Sequence, residues 1–240
     1  VPGPLAEGAG VSLRESQAHY LARVMRVAPG DAVIVCDDET GEWAAEVVAA
    51  GKRAVELSVR QRLRPREHVP DLWLCAALLK KPNFDLVLEK ATELGAARIQ
   101  PLVTRRCVAD KLNPDRARTI VTEAAEQCAR TALPALAEPI SLDALLREWP
   151  DDRALFFADE TGGAPAAPAF AAHSGPAALL IGPEGGFDDA ERAAIRALPQ
   201  ARAITLGPRI LRAETAAIAV LSVWMATAGD WNQDANSDAQ

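Results

Sequence analysis

Three runs, DLWLCAALL (71–79), ALFFAD (154–159) and AALLIG (177–182), are apolar at nearly every position, and this limits the fold more than any other feature. A strand with one wet face alternates apolar and polar residues. One that is apolar throughout is buried on both faces, as in a parallel sheet covered by helices. The intervening segments supply the helices. NFDLVLEKATELG sets Phe84, Val87, Leu88, Ala91 and Leu94 at helical spacing and stops at Gly95. NPDRARTIVTEAAEQCART opens with Asn113 as N-cap and Pro114 at the first helical position. SLDALLREW, DDAERAAIRAL and a long apolar helix from about Glu214 to Ala228 complete the set, with RIQPLVT and AITLG as further strands. Strand-helix alternation over residues 67–229 predicts an α/β domain, a mostly parallel sheet with helices on both faces. TGGAPAAPAFAAHSGP (161–176) reads as a small-residue loop, and residues 230–240 as a disordered tail.

Residues 1–66 differ in texture. DAVIVCD, GEWAAEVVAA and RAVELSVR are short runs rich in β-branched residues, as in a small antiparallel barrel or sandwich. Ahead of them SQAHYLARVMRV reads as a helix capped by Ser16, with Arg23 and Arg26 three apart on one face, exposed to solvent or to phosphates. The formal charge is −7, but it is uneven: +1 over residues 1–134 and −8 over 135–240. Within 51–66, GKRAVELSVRQRLRPR, six basic residues face one glutamate, a solvated linker or a nucleic-acid contact. Cys36, Cys75, Cys107 and Cys128 lie far apart without a CxxC, and His19, His68 and His173 fall in no zinc pattern, so the cysteines read as small buried hydrophobes. No run approaches the ~18 apolar residues of a membrane span and no secretory leader is visible, which makes the cytoplasm the expected location.

Ligands of open α/β sheets gather beyond the carboxyl ends of the strands. Three such ends carry unusual residues: FFADETGG, LLIGPEGGF and ITLGPRILRAET. GPEGGF places three glycines and a proline after a strand, so backbone can approach a ligand closely. It is neither a Walker A loop nor a Rossmann fingerprint, and Glu184 would repel a pyrophosphate. S-adenosylmethionine, a sulfonium with a planar adenine, suits that glutamate better. At the last strand end Glu214 favours the dipole of the helix it opens, whereas Arg209 and Arg212 oppose it, which points to a ligand or a partner.

Taken in order, EKATELGAARIQPLVTRRC, EAAEQCART, LLIGPEGGF and LGPRILRAETAA resemble the RsmE-type 16S ribosomal RNA uridine-N3 methyltransferases of the SPOUT superfamily. HYLARVMRVAPGDAVIVCDDETGEWAAEV is similar to that family's N-terminal PUA-like domain. The resemblance spans nearly the whole chain. It implies a PUA-like RNA-binding β-barrel at 1–66 and a trefoil-knotted SPOUT methyltransferase domain at 67–229. It also implies a homodimer packed through the knots, with the final helix as the contact, and a basic-aromatic strand ahead of Val1. By the same resemblance Gly182, Pro183, Glu184, Gly185 and Gly186 form one wall of the S-adenosylmethionine site, and Leu206, Gly207, Leu211, Arg212, Ala213 and Thr215 another.

Uridine N3 is a protonated imide, a poor nucleophile until its proton leaves. Arg212 is expected to steady the developing anion or orient the base, and Glu214 to receive the proton or hold Arg212; the competing reading is that both only shape the knot. Arg23, Arg26, Lys80, Lys81, Arg105, Arg106 and Arg130 are the expected phosphate contacts. The implied substrate is 16S ribosomal RNA within the small ribosomal subunit, and no metal is required. Two alternatives stand beside this: a non-catalytic RNA-binding assembly factor, and a knotted methyltransferase acting on transfer RNA.

Overall fold

The computed structural model describes residues 1–51 and 53–232, which divide into two units: 1–68 with 129–132, and 69–128 with 133–232. The expected tail falls outside the described residues at 233–240; Asp230–Asn232 form a single 3-10 turn.

In the first unit, β1 (Gly10–Arg14), β2 (Ala32–Asp37), β3 (Gly41–Ala50) and β4 (Ala54–Pro65) form an antiparallel sheet in the order β1-β4-β3-β2. Trp43, Ala45 and Val47 of β3 and Val55, Leu57 and Val59 of β4 turn alternate positions into one core. The basic stretch is therefore strand rather than linker. β4 runs on through Arg62 and Arg64, and its arginines and the Arg66 that follows meet acids on neighbouring segments: Arg60 with Glu46, Arg64 with Glu42, Arg66 with Asp38. The expected helix starts earlier than Ser16. Arg14 is the N-cap of α1 (Glu15–His19), which widens into a π-helix over Tyr20–Met25 and ends at a left-handed Arg26, so Arg23 and Arg26 do not share one regular helix face.

The turn between β2 and β3 hangs on Asp37, whose carboxylate accepts from the amides of Leu5, Glu39, Thr40 and Gly41 and from the Thr40 hydroxyl. Burial pushes this carboxyl up, but the donors, led by the Thr40 and Leu5 amides, outweigh it and hold it at about 2.

The second unit contains β5 (Leu72–Ala77), α2 (Lys81–Glu93), β6 (Arg98–Val103), α3 (Pro114–Gln127), β7 (Ala135–Leu136), β8 (Ile140–Ser141), α4 (Leu142–Arg147) and β9 (Ala154–Ala158). Next come β10 (Ala164–Pro165), α5 (Ala166–Ala171), β11 (Ala177–Ile181), α6 (Asp189–Ala197), β12 (Ala201–Thr205) and α7 (Ala213–Thr227). The small-residue segment is thus partly ordered as β10 and α5. All strands pair in parallel in the order β10-β12-β9-β11-β5-β6-β7, with β8 also on β6. Both faces are buried, which explains the unbroken apolar runs: Leu74, Phe156 and Leu179 join one core, and Cys75, Phe157 and Leu180 the other. Desolvation pushes the Cys75 thiol up to about 12, an inert packing group. Cys128 departs from the expectation, being exposed at the C-cap of α3. Asn113, Ser141 and Asp188 cap α3, α4 and α6 through their side chains.

Candidate functional site

Because β5, β6, β9, β11 and β12 run parallel, the segments that follow them leave the sheet at one edge. The GPEGGF loop after β11 is a tight turn closed by the Gly186 amide on the Pro183 carbonyl at 2.9 Å. Its glycines answer to the protein's own atoms. Gly186 has φ +66°, and a Cβ there would lie 2.7 Å from Glu160 Oε1; at Gly182 it would press the Phe187 ring, and at Gly185 the Arg106 stem. These positions were expected to let a ligand approach; internal packing bears most strongly on Gly186 and less tightly on Gly182 and Gly185.

The β9 end holds a buried acid that sequence reasoning passed over. Asp159 accepts from the Thr161 amide and hydroxyl at 3.0 and 2.8 Å and from Arg196 at 2.7 Å, and it pairs with Arg192. Its side chain has no solvent exposure. Burial raises its pKa, but the Thr161 and arginine donors outweigh that and the net direction is down. Arg192 also reaches Glu160 at 2.7 Å and the Phe187 carbonyl at 3.2 Å, joining the β9 loop to the β11 loop through α6. The DET after an apolar strand was the signal for Asp159. Nothing local marked Arg192 or Arg196, which lie more than thirty residues away.

Arg105 and Arg106 follow β6 and turn inward to this network. The Arg105 amide donates to Glu191 Oε1 at 2.7 Å and its guanidinium pairs with Asp188 at 3.0 Å. Arg106 Nη1 donates to the Gly185 carbonyl at 2.9 Å and, more weakly, to that of Phe187 at 3.5 Å. Both were expected to face phosphates; both are exposed, with one guanidinium nitrogen of each engaged within the protein. Arg130 is a clearer correction. It belongs to the first unit, is buried, and its Nε lies 3.7 Å from Glu67, so its charge is not offered at a surface. Lys80 and Lys81 remain exposed at the start of α2, after β5, and Arg23 and Arg26 are exposed on the first unit.

After β12, Leu206 is half-buried, Gly207 has φ +111° with open space around it, and Pro208, Arg209 and Ile210 are exposed. Leu211 packs against the core. Arg212 is the N-cap of α7, exposed, with no side-chain bond to the helix. First-turn amides of such a helix lack intrahelical acceptors. Thr215 is exposed, Ala213 buried, and Glu214 is only 8% exposed; its Oε2 has no hydrogen-bond partner among the described residues. No ion pair joins Glu214 to Arg212, so the expectation that one holds the other finds no contact here. A buried carboxylate oxygen without a partner is costly unless a cation or an N–H group meets it. Among the described residues no cluster of His, Cys, Asp and Glu could hold a metal, and no helix is long and apolar enough to cross a membrane.

Residues 65–225 match the model of the RNA methyltransferase domain, and residues 13–60 that of the RNA methyltransferase PUA domain. The chain is 34% identical over 225 residues to ribosomal RNA small subunit methyltransferase E of Synechocystis sp., covering 89% of this chain and 72% of that protein. It is 28% identical over 222 residues to the protein of that name from Rickettsia conorii, covering 91% and 90%. Among solved structures it is similar to ribosomal RNA small subunit methyltransferase E from Neisseria gonorrhoeae bound to S-adenosylmethionine, with 26% identity, a TM-score of 0.87, and 96% and 97% of the two chains covered. A Legionella pneumophila chain in complex with the same cofactor has 29% identity and a TM-score of 0.84, covering 95% and 96%.

Proposed function

The chain belongs to the RNA methyltransferase family, with that family's PUA domain ahead of the catalytic one, and from this premise we propose that it methylates 16S ribosomal RNA of the small ribosomal subunit at uridine N3, using S-adenosylmethionine. Methylation of ribosomal RNA rests on the whole-length similarity. The uridine and its N3 position rest on the resemblance of GPEGGF and RILRAET to the RsmE-type family, and the arrangement at α7 is compatible with them: an exposed arginine two positions ahead of a buried carboxylate with a partnerless oxygen.

S-adenosylmethionine supplies an electrophilic methyl group on a sulfonium. The residues at the sheet edge fit such a ligand, because the buried Glu214 oxygen suits a cationic or N–H-bearing molecule and would oppose a phosphate. Gly182, Pro183, Glu184, Gly185 and Gly186 form one wall of its site, and Leu206, Gly207, Leu211, Arg212, Ala213 and Thr215 the other. Arg212 stabilises the negative charge that spreads over the uracil imide as its proton leaves, a preorganised donor of the kind whose removal costs about 3 kcal/mol. Glu214 accepts the proton at Oε2. Lys80 and Lys81, with Arg23 and Arg26 of the PUA domain, bind phosphates without reading sequence. The chain acts as a homodimer in the cytoplasm, and the partly exposed Ile218, Ala219, Ser222 and Val223 of α7 are the dimer contact.

The test is to incubate the protein and labelled S-adenosylmethionine with small subunits lacking the modification, and to map the labelled base. Label at N3 of one 16S uridine is expected. Cofactor binding without transfer would make the chain an idle RNA-binding factor, and label on transfer RNA alone would move its substrate.

A further inference from the structure

Arg106 was expected at an RNA phosphate, and its surroundings argue otherwise. Its Nη1 donates to the Gly185 carbonyl at 2.9 Å, and its stem lies over Gly185 so closely that a Cβ there would sit 3.3 Å from Arg106 Cβ. The platform from which it reaches is itself fixed. Thr104 bonds Cys107 through its amide and hydroxyl, each 3.3 Å from the sulfur, and the Arg105 amide is held by Glu191, a buried member of the α6 capping box. On the other flank of the same loop, Arg192 donates to the Phe187 carbonyl while Asp159 and Glu160 hold its guanidinium. Two successive segments of GPEGGF are thus gripped by two arginines from different elements. The turn between them contains Gly186 at positive φ, which glycine adopts without strain but holds with little conformational restriction of its own.

We propose that Arg106 is a positioning residue for the cofactor loop and not a contact to RNA: it fixes the Gly185 carbonyl, and through it the turn Pro183–Gly186, in the shape that receives S-adenosylmethionine. This rests on the reading that GPEGG forms one wall of the cofactor site. Nη1 alone is committed to the loop and the side chain is exposed, so the two roles are told apart by which affinity a substitution moves, that for the cofactor or that for the subunit.

The experiment compares the full chain with Arg106→Ala and Arg106→Lys. S-adenosylmethionine affinity is read by calorimetry, steady-state methylation of small subunits as kcat and KM, and subunit affinity as a function of salt. Removing a charge-assisted hydrogen bond should raise both Kd and KM for the cofactor about tenfold. Saturating cofactor should recover the rate, the subunit affinity and its salt slope should not move, and lysine should restore part of the loss. Unchanged cofactor affinity with a salt slope shallower by about one would make Arg106 a phosphate contact and overturn the proposal. No change in either quantity would overturn it as well. Gly185→Ala is the second variant: it keeps the guanidinium but presses a methyl on its stem, and should weaken the cofactor in the same direction. If the unmodified chain fails to bind S-adenosylmethionine, the cofactor reading itself falls, whereas binding that survives in all three variants removes only the role of Arg106.

Discussion

Two pairs of arginines stand beyond the carboxyl ends of one sheet and differ in a way that their sequence does not display. Arg105 and Arg106, after β6, find Asp188, Glu191 and the Gly185 carbonyl within reach. Arg209 and Arg212, after β12, have no ion pair among the described residues, and Arg212 stands at a helix N-terminus whose dipole opposes it. TRRC and PRILR read alike as exposed basic loops. Of the first pair, Arg106 reaches the glycine-rich turn and Arg105 the start of α6, whereas the second pair makes no ion pair among the described residues.

The largest effect expected from breaking this contrast lies beneath the engaged pair. Asp159→Ala strips the main partner from Arg192, whose side chain is only 11% exposed, and should cost about 3 to 5 kcal/mol in denaturant unfolding. A loss below about 1 kcal/mol would show that Glu160 alone suffices and that the network is not the support of the loop. Arg212→Ala comes next. Methyl transfer should slow roughly a hundredfold, near 3 kcal/mol of barrier, with the melting temperature and cofactor affinity unchanged. A collapse of folding or cofactor binding instead would place Arg212 with the structural arginines and erase the contrast.

The acids of the two units sharpen the comparison through pH. Asp37 and Asp159 both have folded pKa values below the ordinary carboxylate range, so each contributes stability above the unfolded value of ~3.9 that is lost as pH falls through the lowered folded value. For Asp37, at about 2, this is about 2 kcal/mol lost between roughly pH 4 and pH 2. Acid unfolding of Asp37→Asn should therefore be flatter in that window, and an unaltered slope would contradict the assignment. The smallest effect separates the arginines themselves. Arg23→Ala should reduce the salt slope of RNA binding by about one, while Arg105→Ala leaves it in place. Equal slopes in both variants would mean that engagement with Asp188 does not withhold Arg105 from RNA.

Particular residues show where reading the sequence stopped. Asn113, Ser141 and Asp188 were legible as caps or helix starts because a cap and the amide it accepts from lie three residues apart. The π-helix at Tyr20–Met25 was not, since its i to i+5 spacing leaves an apolar pattern close to that of an α-helix. RQRLRPR read as a solvated linker or a nucleic-acid contact because its charge dominates, while the acids that pair with it, Glu46, Glu42 and Asp38, lie 14, 22 and 28 positions away. Arg130 was misread for a similar reason. The helix before it ends at Gln127, Ala129 follows in a left-handed conformation, and no local pattern announces that the next three residues, Arg130, Thr131 and Ala132, are buried in the first unit.

What the sequence by itself determined were the covalently local matters: apolar runs that demand burial on both faces, the caps that bound the helices, and the placement of glycine-rich and arginine-rich segments directly after strands. Only the tertiary structure decided which of those charges are free. Pairing depends on atoms brought within about 3 Å across dozens of residues, and the parallel sheet sets that distance by ordering its strands β12-β9-β11-β5-β6, an order that no single segment encodes.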